Sequence, residues 1–100
     1  MTQAVLKNEI TELSPDSPMS ADQRREIADM VANVLADEYR LFVNTQGLHW
    51  NVEGPLFYSL HKLTESQYRE LFESIDALAE RIRALGLPAP QSFKEFADRS

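Results

Sequence analysis

The run from Pro55 to Leu85, PLFYSLHKLTESQYRELFESIDALAERIRAL, decides how the rest of the chain is read. Phe57, Leu60, Tyr68, Leu71, Phe72, Ile75, Leu78, Ala79, Ile82 and Leu85 hold one face of a single helix for about eight turns. Gly86 and Pro88 then end it, as a glycine just past the last turn and a trailing proline should. Beside the apolar face lie His61, Glu65, Asp76 and Glu80, paired at i and i+4. At about 100° per residue they share an arc of about 100°. This is the spacing of metal ligands.

One copy of this helix does not close one site. Eleven residues separate Glu65 from Asp76, roughly 16 Å of axis at about 1.5 Å per residue, whereas a first-row ion holds N and O ligands at about 2 Å. The four positions are symmetric about the point between Glu70 and Leu71. An antiparallel two-fold copy crossing there sets His61 opposite Asp76 or Glu80 of its mate, and Glu65 likewise. The pattern therefore predicts two half-sites completed across a self-complementary dimer interface.

Working outward, Asn51-Val52-Glu53-Gly54-Pro55 is a short connection, with Gly54 free to turn and Pro55 preset for a first helical position. Before it, Ser20 and Gln23 have the form of a capping box, so a helix should start there. Ile27, Met30, Val31, Val34, Leu35, Leu41, Phe42, Thr45 and Leu48 give it one apolar stripe to about Trp50, with His49 on the stripe's edge. Glu38 falls near the stripe's centre, where an unpaired carboxylate is costly. Two long helices with a short link form an antiparallel hairpin. His49 and His61, on either side of the one turn, can meet.

Residues 1–19 lack periodicity and end in Ser14, Pro15, Asp16, Ser17 and Pro18, which reads as a flexible leader. Residues 20–100 form the helical domain. Ser92 and Glu95 make a second capping-box pattern ahead of Phe93 and Phe96, so a short third helix should run to about Asp98. A hairpin leaves much of both stripes facing water. The expected fold is all-α, half of a four-helix bundle, completed by oligomerisation.

Composition bounds the rest. One hundred residues with 43% hydrophobic and 26% charged residues describe one globular domain. The absence of cysteine excludes disulfides, thiolate metal sites and cysteine nucleophiles. No stretch is long and apolar enough for a signal peptide's central region or a bilayer span, so a cytoplasmic location is the default expectation. A formal charge of −6 argues against general attraction to DNA or anionic lipid and suits cations. The leader, with Lys7 against Glu9, Glu12 and Asp16, gives DNA binding no support.

Each chemical signal has an ordinary alternative. A histidine beside an apolar face is more often structural than a ligand, and an acidic i, i+4 pair such as Asp76 and Glu80 is usually a solvated face bridged to Arg81 or Arg83. The shared arc and the two-fold symmetry raise the metal reading to stand level with these alternatives. Oxygen-rich ligands with one or two imidazoles suit iron, manganese or zinc and do not choose among them. The Glu-x-x-His pair of carboxylate-bridged di-iron bundles, the His-Glu-x-x-His motif, phosphate-binding glycine loops and Gly-x-Ser-x-Gly are absent. Trp50 is expected to pack in the core; next to a redox metal it could also exchange an electron.

The run Leu48-His49-Trp50-Asn51-Val52-Glu53-Gly54-Pro55, then Phe57, Leu60-His61, Glu65 and Ile75-Asp76-Ala77-Leu78-Ala79-Glu80-Arg81-Ile82-Arg83, resembles the Dps mini-ferritins, the DNA-binding proteins from starved cells. The likeness extends with lower specificity from about Ile27 to Ser100. It implies a ferritin-like four-helix bundle, a hollow dodecamer, and oxidation of Fe(II), preferentially by hydrogen peroxide, with storage of the ferric product. By position, His49, His61 and Glu65 would come from one subunit and Asp76 and Glu80 from its mate. Glu80 would bridge two irons. Trp50 matches a tryptophan implicated in handling stray oxidising equivalents. Position 65 is commonly aspartate in the family, so Glu65 adds a methylene. The family's chain continues into two further helices, and this sequence ends within the connection leading to them. Two rival expectations stand beside ferroxidase activity: a module clipped by one structural metal, and a purely structural helical pair.

Overall fold

A computed structural model describes residues 18–100. The leader expected over residues 1–19 lies almost wholly outside the described residues. Three helices follow in order: α1 (Ala21–Asn51), α2 (Phe57–Ala84) and α3 (Phe93–Arg99). No strand occurs among the described residues.

The signals that delimit α1 are local, and they fold as the sequence predicts. Ser20 Oγ accepts from the Gln23 backbone N–H at 3.1 Å, and Gln23 Oε1 accepts from the Ser20 N–H at 2.9 Å, a complete capping box. Gly54 turns the link with φ +93, a conformation that favours glycine. Pro55 differs from expectation. It sits within a turn closed by the Phe57 N–H donating to the Gly54 carbonyl at 3.0 Å, and α2 starts two residues later than a proline at the first helical position would place it. Gly86 has φ +89, and its N–H donates to Arg83 O at 2.9 Å while that of Leu87 donates to Ile82 O at 3.3 Å. These paired bonds are a Schellman ending, which satisfies the last carbonyls of α2.

The seam between α1 and α2 repeats every seven residues. Ala28, Leu35, Phe42 and His49 descend α1 while His61, Tyr68, Ile75 and Ile82 ascend α2. This is the repeat by which two helices keep one seam in contact over many turns. Ala28, Ala32, Leu35 and Ile82 form the buried cluster, with Val31, Ile75, Leu78, Ala79, Leu85, Leu87 and Phe96 packed around it.

The buried face of α1 is thus rotated from the stripe expected from bulky residues. Ala28, Ala32 and Ala36 are buried, whereas Met30, Val34, Leu41 and Leu48 are exposed. On α2, Phe57, Leu60 and Phe72 are likewise exposed. The physical reason is proximity: small side chains let the helix backbones approach, and bulky ones line the flanks. Trp50 also departs from the expected core role, with 67% of its surface open. One residue beyond buried His49, it turns about 100° away from the seam.

Glu38 has a partner, and it is across the seam. Ser74 Oγ donates to Glu38 Oε2 at 2.7 Å, so the carboxylate near the apolar face is satisfied.

The third helix closes back over α1. Ser92 Oγ accepts from the Glu95 N–H at 3.1 Å, but Glu95 does not complete the reciprocal box, because its carboxylate takes Arg99 Nε at 3.2 Å. Arg99 Nη1 reaches Asp29 Oδ1 and Asn33 Oδ1, both at 2.9 Å. The hydrogen bond that Arg99 donates to the Asp29 carboxylate is the largest cause holding its guanidinium above its ordinary range. Phe96 stacks on Tyr39 with ring centroids 4.4 Å apart.

Candidate metal centre

His49 ends the buried seam of α1 and His61 begins that of α2, so the short link brings them face to face. Their rings stack at 3.7 Å between centroids with planes 19° apart. Each ring is tied to the other helix's main chain. His49 Nδ1 lies 2.7 Å from His61 O, and His61 Nδ1 lies 3.0 Å from His49 O. A carbonyl only accepts, so both Nδ1 atoms carry hydrogen, and in the neutral ring the free lone pair is on Nε2. Backbone carbonyls on one imidazole nitrogen orient the other for a metal.

The surroundings hold these rings. Thr64, 3% exposed, places Oγ1 at 3.2 Å from His49 Nδ1 and donates that hydroxyl to Leu60 O at 2.7 Å. Tyr68 sets its ring edge-on to His49 at 5.2 Å, and Phe57 stacks on His61 at 5.0 Å. His49 itself is 7% exposed.

One helical turn beyond His61, Glu65 turns to the same place. His49, His61 and Glu65 each offer a ligand atom, all within 4.8 Å of one another. Glu65 is half-buried and ion-paired, with Oε1 at 3.1 Å from Arg69 Nη2 and Oε2 at 3.9 Å from Lys62 Nζ. Two imidazoles and one carboxylate are a borderline-hard set that fits Fe(II), Mn(II) or Zn(II).

Three of the five sequence-predicted ligands therefore meet within one chain. Asp76 and Glu80 do not join them; both are exposed on the distal half of α2. Trp50, adjacent to His49 in sequence, makes no ring contact with either imidazole among the described residues. Thr64 and Tyr68 escaped sequence reasoning as parts of the site. Their signal was available: they stand three and seven residues after His61, on the same seam.

The fold is thus a long antiparallel helical hairpin with paired imidazoles and a carboxylate gathered near its linked end. The profile of the ferritin-like domain matches residues 21–99. An uncharacterized low temperature-induced protein of Nostoc is 47% identical over 68 residues, which are 68% of this chain and 38% of that protein. The DNA protection during starvation protein 2 of Bacillus anthracis is 34% identical over 76 residues, covering 76% of this chain and 52% of that one. Among solved structures, the Dps protein of Vibrio cholerae O1, described as a member of the ferritin-like diiron-carboxylate superfamily, superposes with a TM-score of 0.79 at 34% identity. The superposition covers 81% of this chain and 51% of that one. The chain belongs to the Dps family of ferritin-like proteins, and it spans about half or less of the length of these relatives.

Proposed function

We propose that this chain is a ferroxidase subunit of the Dps kind, one that binds Fe(II) as substrate at His49, His61 and Glu65 and passes its electrons to hydrogen peroxide. The observation that carries this reading is the reciprocal tie between the two imidazoles. It leaves both Nε2 lone pairs free and brings three ligand atoms within 4.8 Å.

A second copy, antiparallel across a two-fold axis, would add Asp76 and Glu80 and so supply the carboxylates that two ions require, with Glu80 the bridge. Ferritin-like membership supports iron over zinc or manganese as the cargo. Two Fe(II) give one electron each to one peroxide. Both oxygens then leave as water after uptake of two protons, and no hydroxyl radical is released. The protein's contribution is ion spacing and neutralisation of charge by carboxylates. Trp50, exposed beside His49, would accept stray oxidising equivalents. Oxidised iron would be stored or detoxified within an oligomer of this chain.

The test is anaerobic loading with Fe(II) followed by mixing with peroxide, monitored by ferric absorbance. Rapid oxidation at one peroxide per two Fe(II), slowed by Asp76→Ala or His61→Ala, is the expected result. Metal binding without turnover would instead identify a structural clip, and no binding would leave a helical oligomerisation module.

A further inference from the structure

Among the described residues, Glu65 is the only carboxylate grouped with the imidazole pair, and both of its oxygens already face cations. The nearer is Arg69, one turn along α2, at 3.1 Å. Arg69 is poorly suited to a purely structural role, since its side chain is 70% exposed and its one ion pair among the described residues is with Glu65. One turn further on stands Glu73, which shares with Arg69 a groove also lined by Phe42, Gln46, Tyr68 and Phe72. Arg69 therefore has carboxylates at both i−4 and i+4, each within helical reach. Glu73 makes no ion pair among the described residues.

We propose that Arg69 is the resident counter-ion of the metal centre, displaced from Glu65 toward Glu73 when a divalent cation binds. The proposal rests on the metal-site reading above. Before binding, the guanidinium neutralises Glu65, keeps its carboxylate turned along the helix and competes with the incoming ion. After binding, two positive charges would crowd one carboxylate, so Arg69 moves to the vacant acceptor. Arg69 acts through Glu65 and is a positioning residue. The exposed pair is weak and screened by salt, so the competition amounts to about a two- to fivefold change in affinity.

Zn(II) is the probe, because it binds the same ligand types without redox chemistry. Calorimetric titration of the full chain compares wild type, Arg69→Ala, Glu73→Gln and the double variant at low and high salt, with His61→Ala as reference. Arg69→Ala should bind zinc about two- to fivefold more tightly at low salt, with the gain fading at high salt. Glu73→Gln should bind more weakly than wild type, and should have no effect once Arg69 is gone. A general structural role would not produce that epistasis, and circular dichroism checks that all variants remain helical. Unchanged or weaker binding in Arg69→Ala, or a Glu73 effect that persists without Arg69, would overturn the proposal while His61-dependent binding left the metal site standing. Zinc binding indifferent to His61→Ala would overturn the metal-site reading itself, and the proposal with it.

Discussion

In the proposed metal centre His49 and His61 do two jobs with two nitrogens each: Nδ1 binds the opposite backbone and Nε2 would take the ion. Replacing either ring by alanine removes a proposed ligand and also strands a carbonyl contact at the end of the seam. His61→Ala should reduce Zn(II) affinity by more than the roughly 10- to 100-fold typical of losing a supporting partner, measured by calorimetry. Thr64→Val keeps the buried shape but removes the hydroxyl beside His49, and should cost about tenfold in the same assay. Trp50→Phe should leave zinc affinity unchanged, because the indole is exposed and off the seam; protein radical detected after peroxide challenge is the quantity it should alter. That His49 and His61 meet across the link, with Glu65 one turn beyond His61, was legible in the sequence. The reciprocal backbone ties were not, since they depend on the exact register of two helices that sequence periodicity leaves free by a turn.

At the scale of elements, the start of α1 and the glycine end of α2 were readable because each depends on residues within one turn of itself, whereas Pro55 and the Ser92–Glu95 box departed from expectation. The Ser20–Gln23 box is complete, and Ser20→Ala should lower stability by about 1 kcal/mol, read from chemical denaturation. The packing face of α1 was less readable. Its flanks carry Met30, Val34, Leu41 and Leu48, which outweigh alanines in any reading by bulk, yet Ala28, Ala32 and Ala36 are buried beside Leu35 and Thr45, the two members of the expected stripe that are buried. Ala32→Leu should consequently destabilise the hairpin by about 1–3 kcal/mol despite adding apolar surface, because Ala32 lies in the buried cluster with Leu35 and Ile82, where a bulkier side chain forces the packing to shift. Glu38 shows the same limit from the polar side. Its partner Ser74 lies on the other helix, and only the folded register pairs them.

For the whole molecule, the hairpin covers only part of its apolar surface. Met30, Val34, Leu41 and Leu48 on α1, and Phe57, Leu60, Leu63 and Phe72 on α2, remain open to partners. With Asp76 and Glu80 exposed on the distal half of α2, an antiparallel second copy has both an apolar surface to cover and two carboxylates to contribute. Light scattering on a sizing column, with anaerobic Fe(II) present and absent, should show an oligomer that iron tightens and Asp76→Ala loosens. An iron-indifferent monomer would mean that the cluster of three stands alone. No helix among the described residues is long and apolar enough to cross a membrane.

The crossed ties between imidazole and main chain also make the two rings a gauge of helix alignment. Sliding α2 along α1 by a single residue would swing each Nδ1 away from its carbonyl, so ring tautomer and interhelical register are one property. A pair of slowly exchanging imidazole Nδ1 protons in a nuclear magnetic resonance spectrum would then report, without any metal added, that the hairpin is closed in register. Their joint disappearance would mark the moment it slips.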